Sequence, residues 1–155
     1  MYETFEHTAD LGLRVQAPNT AELFADAARG LCSIMVANFA AVRPVQEVQI
    51  HLQGDNIEEL WHDWLSELLF MFHGRRLVLA EFKVDIRLPE ICDEEDDAVA
   101  AMELSSPTIL NATARGEPID PGRHEITVEV KAITWHQLKV ERCPNGWLGE
   151  VILDI

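Results

Sequence analysis

The stretch LWHDWLSELLFMF at residues 60–72 constrains the fold most strongly. Its apolar side chains fall at Leu60, Trp61, Trp64, Leu65, Leu68, Leu69 and Phe72, three and four apart, which is the period of a helix with one buried face. Asp55 or Asn56 can cap its start, and Gly74 marks its end. A second stripe of the same period runs through Leu23, Phe24, Ala27, Ala28, Leu31, Ile34 and Met35. There Asn19 or Thr20 serves as N-cap and Glu22 lies in the first turn.

Two apolar helix faces need a partner layer, and the rest of the chain supplies strands. Residues 5–16 alternate as a strand or a short hairpin, and 45–52 alternate again. Beyond Gly74 the pattern is almost all strand, over 77–88, 103–116, 125–132, 135–142 and 147–155. Turns fall at 116–118, 121–122 and 144–146, where Gly and Pro cluster. The expected fold is α+β, with two helices packed on one mostly antiparallel β-sheet in a single domain over 1–155.

At 155 residues such a domain buries about two thirds of the surface its unfolded chain exposes. Twelve Lys and Arg against 27 Asp and Glu give a net charge of −15. A surface of that sign repels phosphate backbones, so no direct nucleic-acid binding is expected; divalent cations or a basic protein suit it. No run of 18 apolar residues predicts a membrane span, and MYETFEHTAD has neither the basic nor the apolar part of a signal peptide. Cys32, Cys92 and Cys143 form no metal-binding pair, and their sparseness fits a reducing cytoplasm. The segment EICDEEDDAVAAME at 90–103 carries five consecutive acids at 93–97 and reads as an acidic loop insertion; it lacks the alternating acids and central glycine of a calcium loop.

No nucleophile elbow, phosphate loop or HExxH zinc motif is present. His62, Asp63, Ser66 and Glu67 read as the polar face of the second helix, His73 as a residue suited to a helix C-terminus, and His51 as a strand position. His136 takes no role. Two acids stand out against apolar strands. Asp10 shares a parity with Thr8, Gly12 and Arg14, and Gly12 leaves that side open beside it. Asp154 lies opposite in parity to Val151, Leu153 and Ile155, and Ile155 adds a carboxylate at the end of the sequence. If those strands pair, the carboxylates meet, and close carboxylates repel unless they share a proton or a cation. A hard cation such as Ca²⁺ accepts carboxylate and main-chain oxygen together.

The segments FEHTADLGLRV, ELFADAARGL, LWHDWLSELLFMF, ATARGEPIDPGRHE, EVKAITWH and GWLGEVILDI follow one another over nearly the whole chain. Together they resemble the archease family; HTAD, ARGEP-x-D-x-x-RHE, EVKA-x-T and the final ILD-x are the specific parts. The resemblance implies the archease fold and a protein cofactor rather than a stand-alone enzyme. The partner it implies is the GTP-dependent tRNA-splicing RNA ligase, which joins a 2′,3′-cyclic phosphate or 3′-phosphate end to a 5′-hydroxyl through a GMP on its active-site histidine. The archease would promote that guanylylation and repeated turnover. It also implies a divalent metal, assigned in the family as calcium, on residues that match Asp10, Asp154 and Ile155, and a residue tied to activity at Lys131. By periodicity alone, Lys131 shares the polar face with Glu129 and reads as one end of a surface salt bridge. Two other function classes are a chaperone-like modulator of an RNA or DNA methyltransferase and a small metal-dependent hydrolase, though no nucleophile or base is evident beside the acids.

Overall fold

In a computed structural model the described residues are 1–7, 10–89 and 107–155. The acidic segment expected as a loop over 90–103, and Cys92 within it, lie outside them. In chain order the elements are β1 (Tyr2–His7), β2 (Asp10–Ala17), α1 (Thr20–Met35), a 3-10 turn (Phe39–Ala41), β3 (Gln46–Gly54), α2 (Ile57–His73), β4 (Leu77–Arg87), β5 (Thr108–Pro118), β6 (Ala132–Ile133), β7 (Lys139–Cys143) and β8 (Gly146–Asp154).

Both helices start where asparagine can cap them. Asn19 Oδ1 accepts from the Glu22 N–H at 2.9 Å, and Asn56 Oδ1 accepts from the Glu59 N–H at 2.8 Å. Each cap satisfies one of the orphan donors of a first turn. The α2 stripe lies inward as its period requires, with Trp61 and Trp64 fully buried. Trp64 Nε1 donates to the Phe24 carbonyl at 2.9 Å, and the Phe24 ring meets Trp61 edge-on at 5.2 Å. Those contacts join α2 to α1 and give the Trp64 indole the partner it needs when buried.

The strands form two sheets rather than one. A five-stranded sheet runs β1-β2-β8-β6 with β7 also paired to β8, and a three-stranded sheet runs β3-β5-β4. All pairings are antiparallel. Helix α1 packs on β1, β2 and β8 of the larger sheet and on β4 of the smaller. Helix α2 packs on β3, β4 and β5 of the smaller sheet and on β6 and β7 of the larger. The α+β single-domain reading stands; the strands divide into two sheets by their pairing, and each helix packs on both.

Two strand expectations need correction. Over 125–132 only Ala132 belongs to a strand, and the earlier part makes a single bridge between Ile126 and Val36. Over 135–142 the strand begins at Lys139. Residues 125–131 and 135–138 are held by side chains and isolated main-chain bonds instead of a ladder.

One strand irregularity depends on a glycine. The β4–β5 register passes from Leu79↔Gly116 to Glu81↔Arg115, leaving Ala80 as an extra residue. At that bulge the backbones crowd: a Cβ on Gly116 would sit 1.8 Å from the Val78 carbonyl oxygen. The obstacle is main chain, which cannot swing aside. Gly116→Ala is therefore expected to lower stability by about 2 kcal/mol or more, read as a reduced urea midpoint, whereas an alanine at exposed Gly122 leaves stability within about 0.5 kcal/mol of the parent.

Candidate functional site

The five-stranded sheet brings three separate stretches of chain to one edge. Strands β2 and β8 pair with Leu11 opposite Leu153 and Gly12 opposite Ile152. One step further along both strands sets Asp10, the first residue of β2, across from Asp154, the last of β8. Directly opposite residues project from the same face with Cβ atoms about 4.5–5.5 Å apart. On the other side of β8, Ala132 pairs with Asp154, and the Lys131 N–H donates to the Asp154 carbonyl at 2.7 Å. Asp10, Asp154, Ile155 and Lys131 thus share one end of the sheet. The two aspartates are half-buried, while Lys131 and Ile155 are exposed.

The charges at this edge are uncompensated. Among the described residues no Lys, Arg or His side chain makes an ion pair with Asp10 or Asp154, and Lys131 makes none with any acid, so the salt bridge expected for Lys131 is not formed. The nearest arginine along β2 is committed elsewhere: Arg14 Nε donates to Glu150 at 2.6 Å, Nη1 to Glu3 at 3.1 Å, and the guanidinium lies 4.8 Å over the Phe5 ring. Two facing carboxylates without a cation fit a hard divalent ion, with the main-chain carboxyl of Ile155 as a third oxygen source. No group of three or more His, Cys, Asp or Glu side chains among the described residues is arranged to hold a metal; the side-chain donors here number two.

Gly12 does not leave open space. The reversal between β1 and β2 sets Phe5 opposite Gly12, and the Phe5 ring occupies the position a Gly12 side chain would fill, 2.1 Å from a Cβ built there. Because β1 and β2 pair antiparallel, Phe5 and Gly12 project from the same face of the sheet.

Helix α2 reaches the same edge from behind. His62 Nε2 lies 3.1 Å from the Ile133 carbonyl and His73 Nε2 lies 2.8 Å from the Val130 carbonyl. A carbonyl only accepts, so each Nε2 is the donor. The His62 ring also stacks on Trp135, centroids 4.0 Å apart at 12°, with Nδ1 3.2 Å from Asp63 Oδ1. Polarity assigned these histidines to a solvated face and a helix end. The signal for a shared role was their spacing of eleven, three helical turns, which puts both on one stripe. His136 donates its N–H to Thr134 Oγ1 at 3.3 Å, and His51 lies on the smaller sheet, 2.6 Å from Asn111 Oδ1.

The ARGEP and RHE segments build a buried charge cluster. Glu117 and His124 are both buried, and Arg123 Nη1 and the Arg43 N–H both donate to the Glu117 carboxylate. His124 Nδ1 accepts from the Asp120 N–H at 2.9 Å, and Nε2 stands 3.6 Å from Glu117 Oε1. The cluster ties the 117–124 turn to the chain around Arg43. The Arg123 hydrogen bond, with help from the Arg43 N–H, holds the Glu117 carboxyl down to about 2 against the upward push of burial.

The chain matches the model of the archease protein family over residues 2–155. It is 36% identical over 154 residues to the protein archease of Methanopyrus kandleri, covering 99% of both chains. It is 36% identical over 155 residues to that of Pyrococcus furiosus, covering 99% of this chain and 98% of the relative. The solution structure of Methanobacterium thermoautotrophicum protein 1598 superposes with a TM-score of 0.71 at 29% identity, over 99% of this chain and 98% of that one. The crystal structure of a Thermotoga maritima protein described as an archease and possible chaperone shares the fold, with a TM-score of 0.55 at 17% identity over 100% and 98% of the chains.

The depressed Glu117 value makes a prediction about acid stability. Glutamate ordinarily titrates near 4.5, so the stability contributed by the ionised carboxylate is fully present above that pH and is lost as pH falls from there through about 2. Glu117→Gln is expected to lower stability at pH 7 and to flatten its pH dependence between those limits, measured by urea unfolding across the range.

Proposed function

This chain belongs to the archease family, and we propose that it works as an activator of a GTP-dependent tRNA-splicing RNA ligase, promoting guanylylation of the ligase histidine and repeated turnover. The observation that supports this reading best is the edge where HTAD, EVKA and ILDI converge: Asp10 stands across from Asp154, with Lys131 hydrogen-bonded to the Asp154 main chain. In this reading Asp10, Asp154 and the Ile155 carboxyl hold a divalent cation, Ca²⁺ by analogy with the family. Bound there, it supplies positive charge of the kind that nucleotidyl transfer needs positioned at phosphate oxygens.

The chain's own residues do the rest. The two aspartates fix the anionic end of the sheet, held in place by strand pairing on both sides of β8. Lys131, exposed and without an ion pair among the described residues, is available to a partner's acidic or phosphate group. The net charge of −15 favours approach to a basic protein surface, such as the mouth of an enzyme that holds RNA, and disfavours the RNA itself. A cytoplasmic site of action follows from that partner.

The test is ligase guanylylation and multiple-turnover joining with and without this protein. Turnover should rise when it is added, with no joining by this protein alone. Unchanged turnover with the matching ligase overturns the proposal. Lys131→Ala should keep the parent melting temperature, since the side chain is exposed, and lower stimulation roughly tenfold, the effect of losing one charge-assisted contact. Stimulation equal to the parent at every dose would make Lys131 a bystander.

A further inference from the structure

We propose that His62 and His73 are positioning residues that hold Lys131 and Asp154 in register through two peptide groups of the 130–134 segment; their functional use rests on the ligase-activator reading above. The need for a hold comes from the edge itself. β6 pairs with β8 at only Ala132↔Asp154 and Ile133↔Leu153, and ladders that short at the end of a strand open readily.

The hold is built in two parallel lines from α2 to β8. His73 Nε2 donates to the Val130 carbonyl at 2.8 Å, and the N–H of that same peptide unit, carried by Lys131, donates to the Asp154 carbonyl at 2.7 Å. His62 Nε2 donates to the Ile133 carbonyl at 3.1 Å, and the N–H of that peptide unit, carried by Thr134, donates to the Ile152 carbonyl at 3.1 Å. A trans peptide is planar, with its C=O and N–H pointing in opposite directions, so each unit can link an imidazole on one side to β8 on the other. Hydrogen bonds in such a chain polarise one another.

Other contacts fix the ends of each line. The Trp135 ring stacked on His62 and the Asp63 carboxylate beside Nδ1 orient that imidazole, and the Phe72 ring meets His73 edge-on at 5.2 Å. Thr134 Oγ1 adds a second donor to Ile152 at 2.8 Å. The Val130 side chain is fully buried and that of Ile133 nearly so, so the segment cannot rotate to lose these bonds without exposing apolar surface. Lys131, between the two lines, is left facing outward.

The experiment is amide hydrogen exchange by NMR on the full chain, with variants that keep or remove the donor. His73→Phe keeps an aromatic ring and loses the donor; His73→Gln keeps a donor. His62→Phe keeps the stack on Trp135 and loses the donor, with His62→Gln as its counterpart. His73→Phe should speed Lys131 exchange at least tenfold and leave Thr134 nearly unchanged, and His62→Phe should do the reverse. Val151 and Leu13, in the interior of the sheet, should keep parent rates in all four. Lys131 and Thr134 rates within twofold of the parent in the Phe variants, or both rising together with Val151, would overturn the proposal. The Phe variants should also lower ligase stimulation severalfold and the Gln variants restore it; Phe variants that stimulate like the parent would equally overturn it. A parent chain that gives no stimulation would sink the ligase reading, and the exchange pattern would still decide the two lines.

Discussion

Everything at the candidate site depends on the antiparallel pairing of β2 with β8. Leu13, Val15, Val151 and Leu153 are fully buried on its inner face, and Arg14 with Glu150 forms an ion pair on its outer face. A slip of one residue would turn the leucines and valines outward and bury the arginine, so the core fixes the register. Once the register is fixed, the backbones of Asp10 and Asp154 lie across from each other on adjacent strands. The proposed divalent-ion site rests on that placement, with no ion pair from a basic side chain to either aspartate among the described residues.

Helix α2 connects that edge to the core. Its inner stripe buries two tryptophans, and deleting either would cost about 3–5 kcal/mol. Its outer stripe carries His62 and His73 to the main chain of the EVKAITWH segment. One rigid element therefore anchors the core and holds the exposed lysine, so the edge is preformed before any partner arrives. Preformed geometry suits the proposed activator role, since ordering it at the moment of contact would weaken binding.

Much of this was legible in the sequence. Both helices, their asparagine caps and their buried stripes follow from period and capping chemistry, because those signals are local. The meeting of Asp10 with Asp154 was legible as two lone acids on apolar strands, though only the long-range register could make them neighbours. The split into two sheets was not legible, because it is set by which distant strands pair. Residues 125–138 misled for a different reason. They alternate like strands but are held by His62, His73 and Asn38, whose amide donates to the Arg123 carbonyl at 2.7 Å and accepts from the Glu125 N–H at 2.8 Å. Side-chain holds of this kind leave no periodic trace in the segment they hold; their only periodic sign is the spacing of His62 and His73 on α2. The Glu117 cluster was visible as the ARGEP and RHE segments, yet nothing in them says that the glutamate is buried and the arginine covers it.

The central claim is that Asp10, Asp154 and the Ile155 carboxyl act as one divalent-ion site. It is tested most directly by calcium titration followed by thermal melting, on the parent chain, on Asp154→Asn and on a chain extended by one glycine after Ile155. A ligand that binds only the folded state raises the melting temperature by mass action. The account predicts a rise with calcium for the parent and a clearly smaller one for both variants, since each removes one negative charge from the site. Identical melting of all three with and without the ion would contradict it.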